Sequence, residues 1–381
     1  MAGSMQQILM PITLTKVISR VAANTDAILD LFQFGPGGKN CSYLGHGREG
    51  SYQVYNNVRA VAQGRAPGTA AGRRPRNPIG RVPFVYPRMH DSISLLAEEI
   101  HNIAKIGDPR ARDEAGKDYI RRQTKSLSQL AGNWRTALTV GMLRDSLYMV
   151  ADGDSFYPTY TNVAGSIRYN FQMPSGNKLR CDMLGAGNII SATWLTASTN
   201  IPRDFGGLQS AMSALNGGLI TDALCSRLMW NNILGNDYVQ EYAGIANAPF
   251  KEWIYEAGSG EDGKPLTEMR GSINAIPGVT FHITDNGLDI GAPGSTPTFT
   301  KHIPDDSIAF FCDPKDPDLY SMYEGSEPIA EFDGGPETVK AGMAAWSTKT
   351  ANPTNTNVFI LDNALPINHV PDSIIYATPV F

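Results

Sequence analysis

Asp118-Tyr119-Ile120-Arg121-Arg122-Gln123 lies near the start of a stretch, Arg110 to Val150, that contains no proline. Within it Ile120, Leu127, Leu130, Trp134, Leu138 and Met142 recur at three-, four- and seven-residue spacings. That periodicity places apolar groups on one side of a helix and predicts a single long amphipathic helix over about 110–150. Arg121, Arg122, Lys125, Arg135 and Arg144 fall off the stripe and are expected to make the opposite face basic. Such a face suits solvent, an acidic neighbour or DNA, and Arg121, Arg122 and Lys125 are the residues assigned to a DNA-facing surface.

Upstream of the helix the composition changes. Arg48, Arg59, Arg65, Arg73, Arg74, Arg76, Arg81 and Arg88 stand against a single acid, Glu49, between Gly45 and Arg88. Two strand-like runs, Tyr52 to Val61 and Arg81 to Tyr86, flank a tip rich in Gly, Ala, Pro and Arg from Gly64 to Gly80, the pattern of a long hairpin. Two strands alone are marginal in water. The hairpin is therefore a flexible segment, a nucleic-acid arm, or an extension laid on another molecule, where guanidinium groups meet carboxylates in bidentate pairs. On the last reading Arg48, Arg59, Arg65, Arg73, Arg74, Arg76 and Arg81 are intersubunit contacts.

Further toward the N-terminus, Val17, Val21, Ile28 and Leu29 have near-helical spacing in Thr13 to Phe34, which stops at Gly35-Pro36-Gly37-Gly38. This reads as an arm that packs on something outside its own core. After the hairpin come apolar positions Ile93, Leu96, Ile100 and Ile103 and the breaker Gly107-Asp108-Pro109. Beyond the long helix, Ser166 to Met173 and Lys178 to Met183 around Pro174-Ser175-Gly176-Asn177 predict a second hairpin. Ile201 to Tyr242 is helical in pattern, with Leu208, Met212 and Leu215 on one stripe and Leu219, Ala223, Leu228 and Met229 on the next. Strand-like runs follow at Phe250 to Tyr255, Val279 to Ile283, Ser307 to Cys312, Ser321 to Phe332, Gly342 to Thr350, Asn357 to Ile360 and Ser373 to Ala377. The fold class is α+β, and 381 residues favour two domains.

A net charge of -5 gives the whole chain no attraction for phosphate, so any basic surface is local. Cys41, Cys181, Cys225 and Cys312 lack the paired spacing of zinc or redox sites and read as reduced thiols. No secretory signal opens the chain, no apolar run reaches the roughly 20 residues of a membrane helix, and assembly in a reducing cytoplasm is expected.

Few residues in the sequence are arranged for chemistry. Gly45-His46-Gly47-Arg48-Glu49-Gly50 matches a dinucleotide fingerprint as a string, but a strand-like run follows where a phosphate-binding helix is required. Gly153-Asp154-Ser155 reads as a helix-ending turn rather than a nucleophile elbow. The carboxylate pairs Glu98-Glu99, Glu261-Asp262 and Asp305-Asp306 read as solvated, and His46, His90, His101, His282, His302 and His369 are scattered. No enzyme, cofactor or metal site is expected.

The order of elements resembles the tailed-bacteriophage major capsid protein of the Hong Kong 97-type fold, in the lambda-like E family. The likeness is strongest in Asp118 to Gln123, in Pro304-Asp305-Asp306-Ser307-Ile308-Ala309-Phe310-Phe311, and in Asn357 to Ile367 with Val370-Pro371-Asp372-Ser373-Ile374-Ile375-Tyr376. It implies an N-terminal arm (1–44), an extended loop (45–90), a peripheral domain with the long spine helix (91–190) and an axial domain (191–324). Return strands to the peripheral domain (325–367) and a C-terminal strand of the axial domain (368–381) complete it. It further implies hexamers and pentamers closing into an icosahedral shell in the virion around double-stranded DNA contacted non-specifically, with portal, decoration and separate scaffolding proteins as partners and no membrane. Residues 45–90 hold no lysine, so no loop-lysine isopeptide crosslink is expected. An encapsulin-type nanocompartment shell and a tail component are the alternatives.

Overall fold

The computed structural model of the chain describes residues 16, 18, 26–43, 49–55, 79–96, 109–153, 155–180, 189–190, 192–216, 218–245, 250–257, 266–291, 296, 298–330, 337–351 and 354–379. In chain order these form helix α1 (Ala27–Phe32), strands β1 (Cys41–Tyr43), β2 (Glu49–Tyr55), β3 (Ile79–Val85) and β4 (Arg88–Leu96), and the long helix α2 (Pro109–Arg144). Strands β5 (Leu147–Asp152), β6 (Ser155–Thr159), β7 (Ile167–Tyr169) and β8 (Lys178–Arg180) precede helix α3 (Ile201–Asn216), strand β9 (Asp222–Cys225) and helices α4 (Arg227–Leu234) and α5 (Asp237–Ile245). Then come β10 (Phe250–Ala257), β11 (Leu266–Ile273), β12 (Ile276–Ile283), β13 (Gly287–Ile290), β14 (Thr298–Lys301) and β15 (Ile308–Phe311). The chain closes with β16 (Tyr320–Glu324), β17 (Ser326–Ala330), β18 (Glu337–Ala341), β19 (Ala344–Ala351), β20 (Thr354–Asn368) and β21 (Ile374–Thr378).

Two sheets organise this α+β chain. The first has five strands and is built on β20, whose length lets β16 and β19 pair in tandem along one edge while β4 takes the other. Its inner face, with Val358, Ile360 and Ala345, packs on Ile120, Leu127 and Ala131 of α2. The second sheet has seven strands in the order β10-β11-β12-β9-β15-β21-β8. Phe281, Phe310 and Ile375 from it bury against Phe205, Leu208 and Met212 of α3 and Met229 and Trp230 of α4. A further cluster joins the two bodies: Leu138, Met142 and Leu143 of α2 meet Phe32 and Phe34, Met322, Leu365, and Phe311 and Ile374 from the second sheet.

The long helix is shorter than its periodicity suggests. It ends at Arg144, and Leu147 to Val150, expected to be helical, lie in strand β5. Asp145 adopts a left-handed conformation (φ 45°), and the Asp145 and Ser146 amides donate to the Met142 and Gly141 carbonyls at 3.2 and 3.1 Å, a Schellman stop. A residue other than glycine holds this conformation because its buried carboxylate accepts from the Phe171 amide at 3.0 Å and pairs with Arg168 and Lys178. Gly141 leaves the room that Leu147 needs, since a Cβ there would lie 2.7 Å from the Leu147 Cβ.

The arm also differs from expectation. Ile28, Leu29, Leu31, Phe32 and Phe34 are buried in the chain's own core, so this part of it packs at home. Gln33, left-handed at φ 55°, stops α1 ahead of the glycine cluster. Asp26 caps the helix, its side chain accepting from the Ile28 amide at 2.9 Å, and its other oxygen meets His302 Nε2 at 2.9 Å. Asp26→Ala removes cap and partner together. It is expected to lower the stability of the unassembled subunit by about 2 kcal/mol, read by urea unfolding.

Other local readings are corrected by long-range pairing. β7 pairs with β5 and β8 pairs in parallel with β21, so the expected second hairpin around Pro174 does not form. Ala223 lies on β9, between helices rather than on one. Gly153 turns β5 into β6, so this turn joins two strands instead of ending a helix. Cys41, Cys225 and Cys312 are thiols outside any disulfide; Cys181 lies outside the described residues.

Candidate functional site: hairpin root, buried arginine and exposed helix ridge

The basic hairpin is rooted in its own subunit. β2 and β3 pair antiparallel from Glu49↔Val85 to Tyr55↔Ile79, and alternation divides the ribbon into two faces. Tyr52, Val54, Val82 and Phe84 turn toward the core; Gln53, Arg81, Pro83 and Val85 turn outward. Gly50 makes room for the Phe84 ring, whose Cζ would lie 2.6 Å from a Cβ at that position.

His369 fastens the root. Its carbonyl accepts from the Tyr55 amide at 2.8 Å, while Nδ1 lies 3.0 Å from the Gln53 carbonyl and Nε2 3.2 Å from the Ser321 hydroxyl. Nδ1 donates to the Gln53 carbonyl, while the Ser321 hydroxyl gives its one hydrogen to the Pro317 carbonyl at 2.9 Å. Burial pushes the His369 pKa down against the opposing Gln53 hydrogen bond. Of the seven arginines assigned to intersubunit contact, Arg81 is exposed on the outer face of β3. Arg48, Arg59, Arg65, Arg73, Arg74 and Arg76 lie outside the described residues. Arg88, the last of the basic run, is used internally: its Nε and Nη2 meet the two Glu327 carboxylate oxygens at 2.9 and 2.8 Å.

On α2 the expected basic face divides in two. Arg121 and Arg122 are exposed and Lys125 half-buried, with Arg121 within 3.4 Å of Asp118. Arg135, expected on that same face, is fully buried. Its Nε and Nη2 make a bidentate pair with Asp362 of β20 at 2.7 and 2.8 Å; Nη2 also reaches Glu324 of β16 at 2.8 Å and Nη1 the Phe34 carbonyl at 3.2 Å. One guanidinium therefore joins the long helix, two strands and the end of the arm. Burial alone would favour its neutral form, but Asp362 and Glu324 outweigh that and hold its pKa above the ordinary value. Beside it, burial pushes the Cys41 thiol up to about 11, with Arg135 opposing. Gly342, at φ 67°, leaves space for Glu324, whose Oε2 would be 2.5 Å from a Cβ there. Arg144 is half-buried, its guanidinium 4.6 Å above the Tyr160 ring.

The sequence held a signal for Arg135 that its charge obscured. Ala131, Arg135, Leu138 and Met142 continue the apolar stripe, and Asp362 with Asn363 interrupts the apolar run Phe359 to Leu365. No group of three or more metal-ligating side chains occurs among the described residues, and no described helix is long and apolar enough to cross a membrane.

No family model and no curated protein match the chain. Among solved structures it is similar to the prophage capsid protein of E. coli CFT073, at 11% identity and TM-score 0.47 over 79% of each chain. It is also similar to the bacteriophage PhiM1 mature capsid protein, at 11% and 0.45 over 89% of this chain and 85% of that one. The SrpI encapsulin of Synechococcus elongatus PCC 7942 aligns at 8% and 0.42 over 89% and 85%.

Proposed function

We propose that this chain is the major capsid protein of a tailed bacteriophage, a non-enzymatic subunit that assembles with copies of itself into an icosahedral shell around double-stranded DNA. The observation that carries the reading is a division of charge across an anchored hairpin. Residues 45–88 hold eight arginines and one glutamate, a surplus of seven positive charges; with the chain at -5, the remainder carries -12. The hairpin's root is fastened to its own core at Tyr52, Phe84 and His369, and the basic segment belongs to a chain whose remainder is acidic. A second copy offers such an extension a complementary surface, and repetition around a closed lattice makes many modest contacts strong together.

In this reading, residues 1–44 are the arm, 45–90 the extended loop, 91–190 with 325–367 the peripheral body, and 191–324 with 368–381 the axial body. The ridge of Arg121, Arg122 and half-buried Lys125 meets packaged DNA through salt-sensitive contacts without sequence preference. Scaffolding, portal and decoration proteins are its further partners, and the host cytoplasm is where it assembles. Purified protein concentrated under assembly conditions is expected to give closed shells by negative-stain microscopy. Tubes or rings would instead indicate a tail component, and genome-free particles filled with one enzyme a nanocompartment. Protein that stays monomeric under every such condition removes the proposal.

A further inference from the structure

The hairpin root is held at two levels. Tyr52, Val82 and Phe84 pack into the core, and none of them titrates near neutral pH, burial having pushed Tyr52 up to about 12. Nearer the tip, at the end of β2, His369 takes over: Nδ1 donates to the Gln53 carbonyl at 3.0 Å, and the His369 carbonyl accepts from the Tyr55 amide at 2.8 Å. The residue is only 6% exposed. On its other side Nε2 lies 3.2 Å from the Ser321 oxygen, whose hydrogen goes to the Pro317 carbonyl. A neutral ring therefore has no hydrogen in that gap, and a charged ring finds a single uncharged acceptor there. The titratable groups around it are Tyr55 of β2 and Tyr323 of β16, with ring centroids 6.0 and 5.6 Å away, exposed Asp318 ahead of β16, and Asp372 three residues along its own segment. Burial keeps the Tyr323 phenol neutral, and Arg81, across the ribbon from Gln53, turns outward. Among the described residues no carboxylate pairs with the ring. Holding an ion away from water costs more than one such hydrogen bond returns, so the closed site suits the neutral ring.

We infer that His369 is a proton-operated clasp: uptake of a proton by its ring frees the Gln53–Tyr55 end of the hairpin from the body, while Tyr52 and Phe84 remain as the pivot. The inference concerns the single subunit and stands whether or not copies assemble. The sign follows from where the proton binds better. A released ring is hydrated and takes a proton at the ordinary histidine value of about 6.5. The clasped ring takes one only at more acid pH, because burial holds its pKa lower against the opposing effects of Gln53 and Asp318. Above about 6.5 both forms are neutral and the clasp keeps its full strength. As the pH falls from there toward the lower pKa of the clasped ring, the released form binds more protons and is increasingly favoured.

Hydrogen exchange at the Tyr55 amide of the full-length, unassembled subunit reads the clasp directly, since the His369 carbonyl holds that hydrogen. Corrected for the intrinsic rate, its protection is expected to fall about fivefold from pH 7.5 to 5.0, while amides of β16 in the body keep theirs. His369→Asn retains a donor for the Gln53 carbonyl but has no proton to gain, and the Tyr55 response should become flat. His90→Asn, at a histidine on β4, should leave the response intact. Protection that is constant with pH or rises in acid overturns the clasp, and so does a response that survives in His369→Asn. An equal loss at β16 would mark general acid unfolding and overturns it too. If His369→Asn does not fold, His369→Gln, which likewise gains no proton, takes its place, and the comparison of Tyr55 with β16 in the unaltered chain still decides the matter.

Discussion

Replacing Arg135 by Met will destabilise the subunit by about 3–5 kcal/mol, the cost of leaving a buried carboxylate without its cation. The side chains of Arg135 and Asp362 are both fully buried, and Glu324 is 16% exposed. Water therefore cannot take over the guanidinium's role at Asp362. The same substitution leaves the Phe34 carbonyl without its donor, loosening the end of the arm. Arg135→Lys keeps the charge but forfeits the bidentate fork, and an intermediate loss is expected. Pairing Arg135→Met with Asp362→Leu should recover much of the loss, since an apolar pair of similar volume has no charge to desolvate. Urea unfolding of the unassembled subunit measures all three. A loss below about 1 kcal/mol for Arg135→Met would show that the knot is solvated in solution.

Removing residues 64–77 will abolish shells and leave the subunit folded. The described root strands, Glu49–Tyr55 and Ile79–Val85, survive that deletion, as do their contacts at Tyr52, Phe84 and His369. Far-UV circular dichroism and melting temperature should therefore match the full chain. Lost with the tip are Arg65, Arg73, Arg74 and Arg76, half of the arginines in the basic segment. The expected effect is all or none because a lattice multiplies the loss of one modest contact over every subunit interface. Normal shells from this deletion would remove the covering role of the hairpin.

The first of these expectations came from the structure and the second largely from the sequence. The stripe Ile120, Leu127, Leu130, Trp134, Leu138 and Met142 identified α2 because a 3.6-residue period is a local property that a packed helix cannot hide, although Leu130 proves exposed and Trp134 only half-buried. The basic hairpin was legible for a similar reason: alternation gave the strands, and composition gave the tip. Arg135 was placed with Arg121 and Arg122 because a charge on a helix is usually solvated. Only its contacts with Asp362, 227 positions away, show otherwise. β8 was joined to its sequence neighbour β7, yet it lies in parallel beside β21, a pairing across almost 200 residues that no turn signal announces.

The sequence by itself determined the α+β class, the long helix, the hairpin and its surplus of guanidinium groups, since each follows from periodicity or composition within a few tens of residues. Tertiary structure alone decided that Ile28 to Phe34 of the arm pack at home, that one arginine of the helix is buried among strands and arm, and that three rings from separate strands, His90, Trp346 and Phe359, stack on an outer face. These are products of which distant segments meet, and that choice is made by burial of the whole apolar surface together rather than by any local pattern.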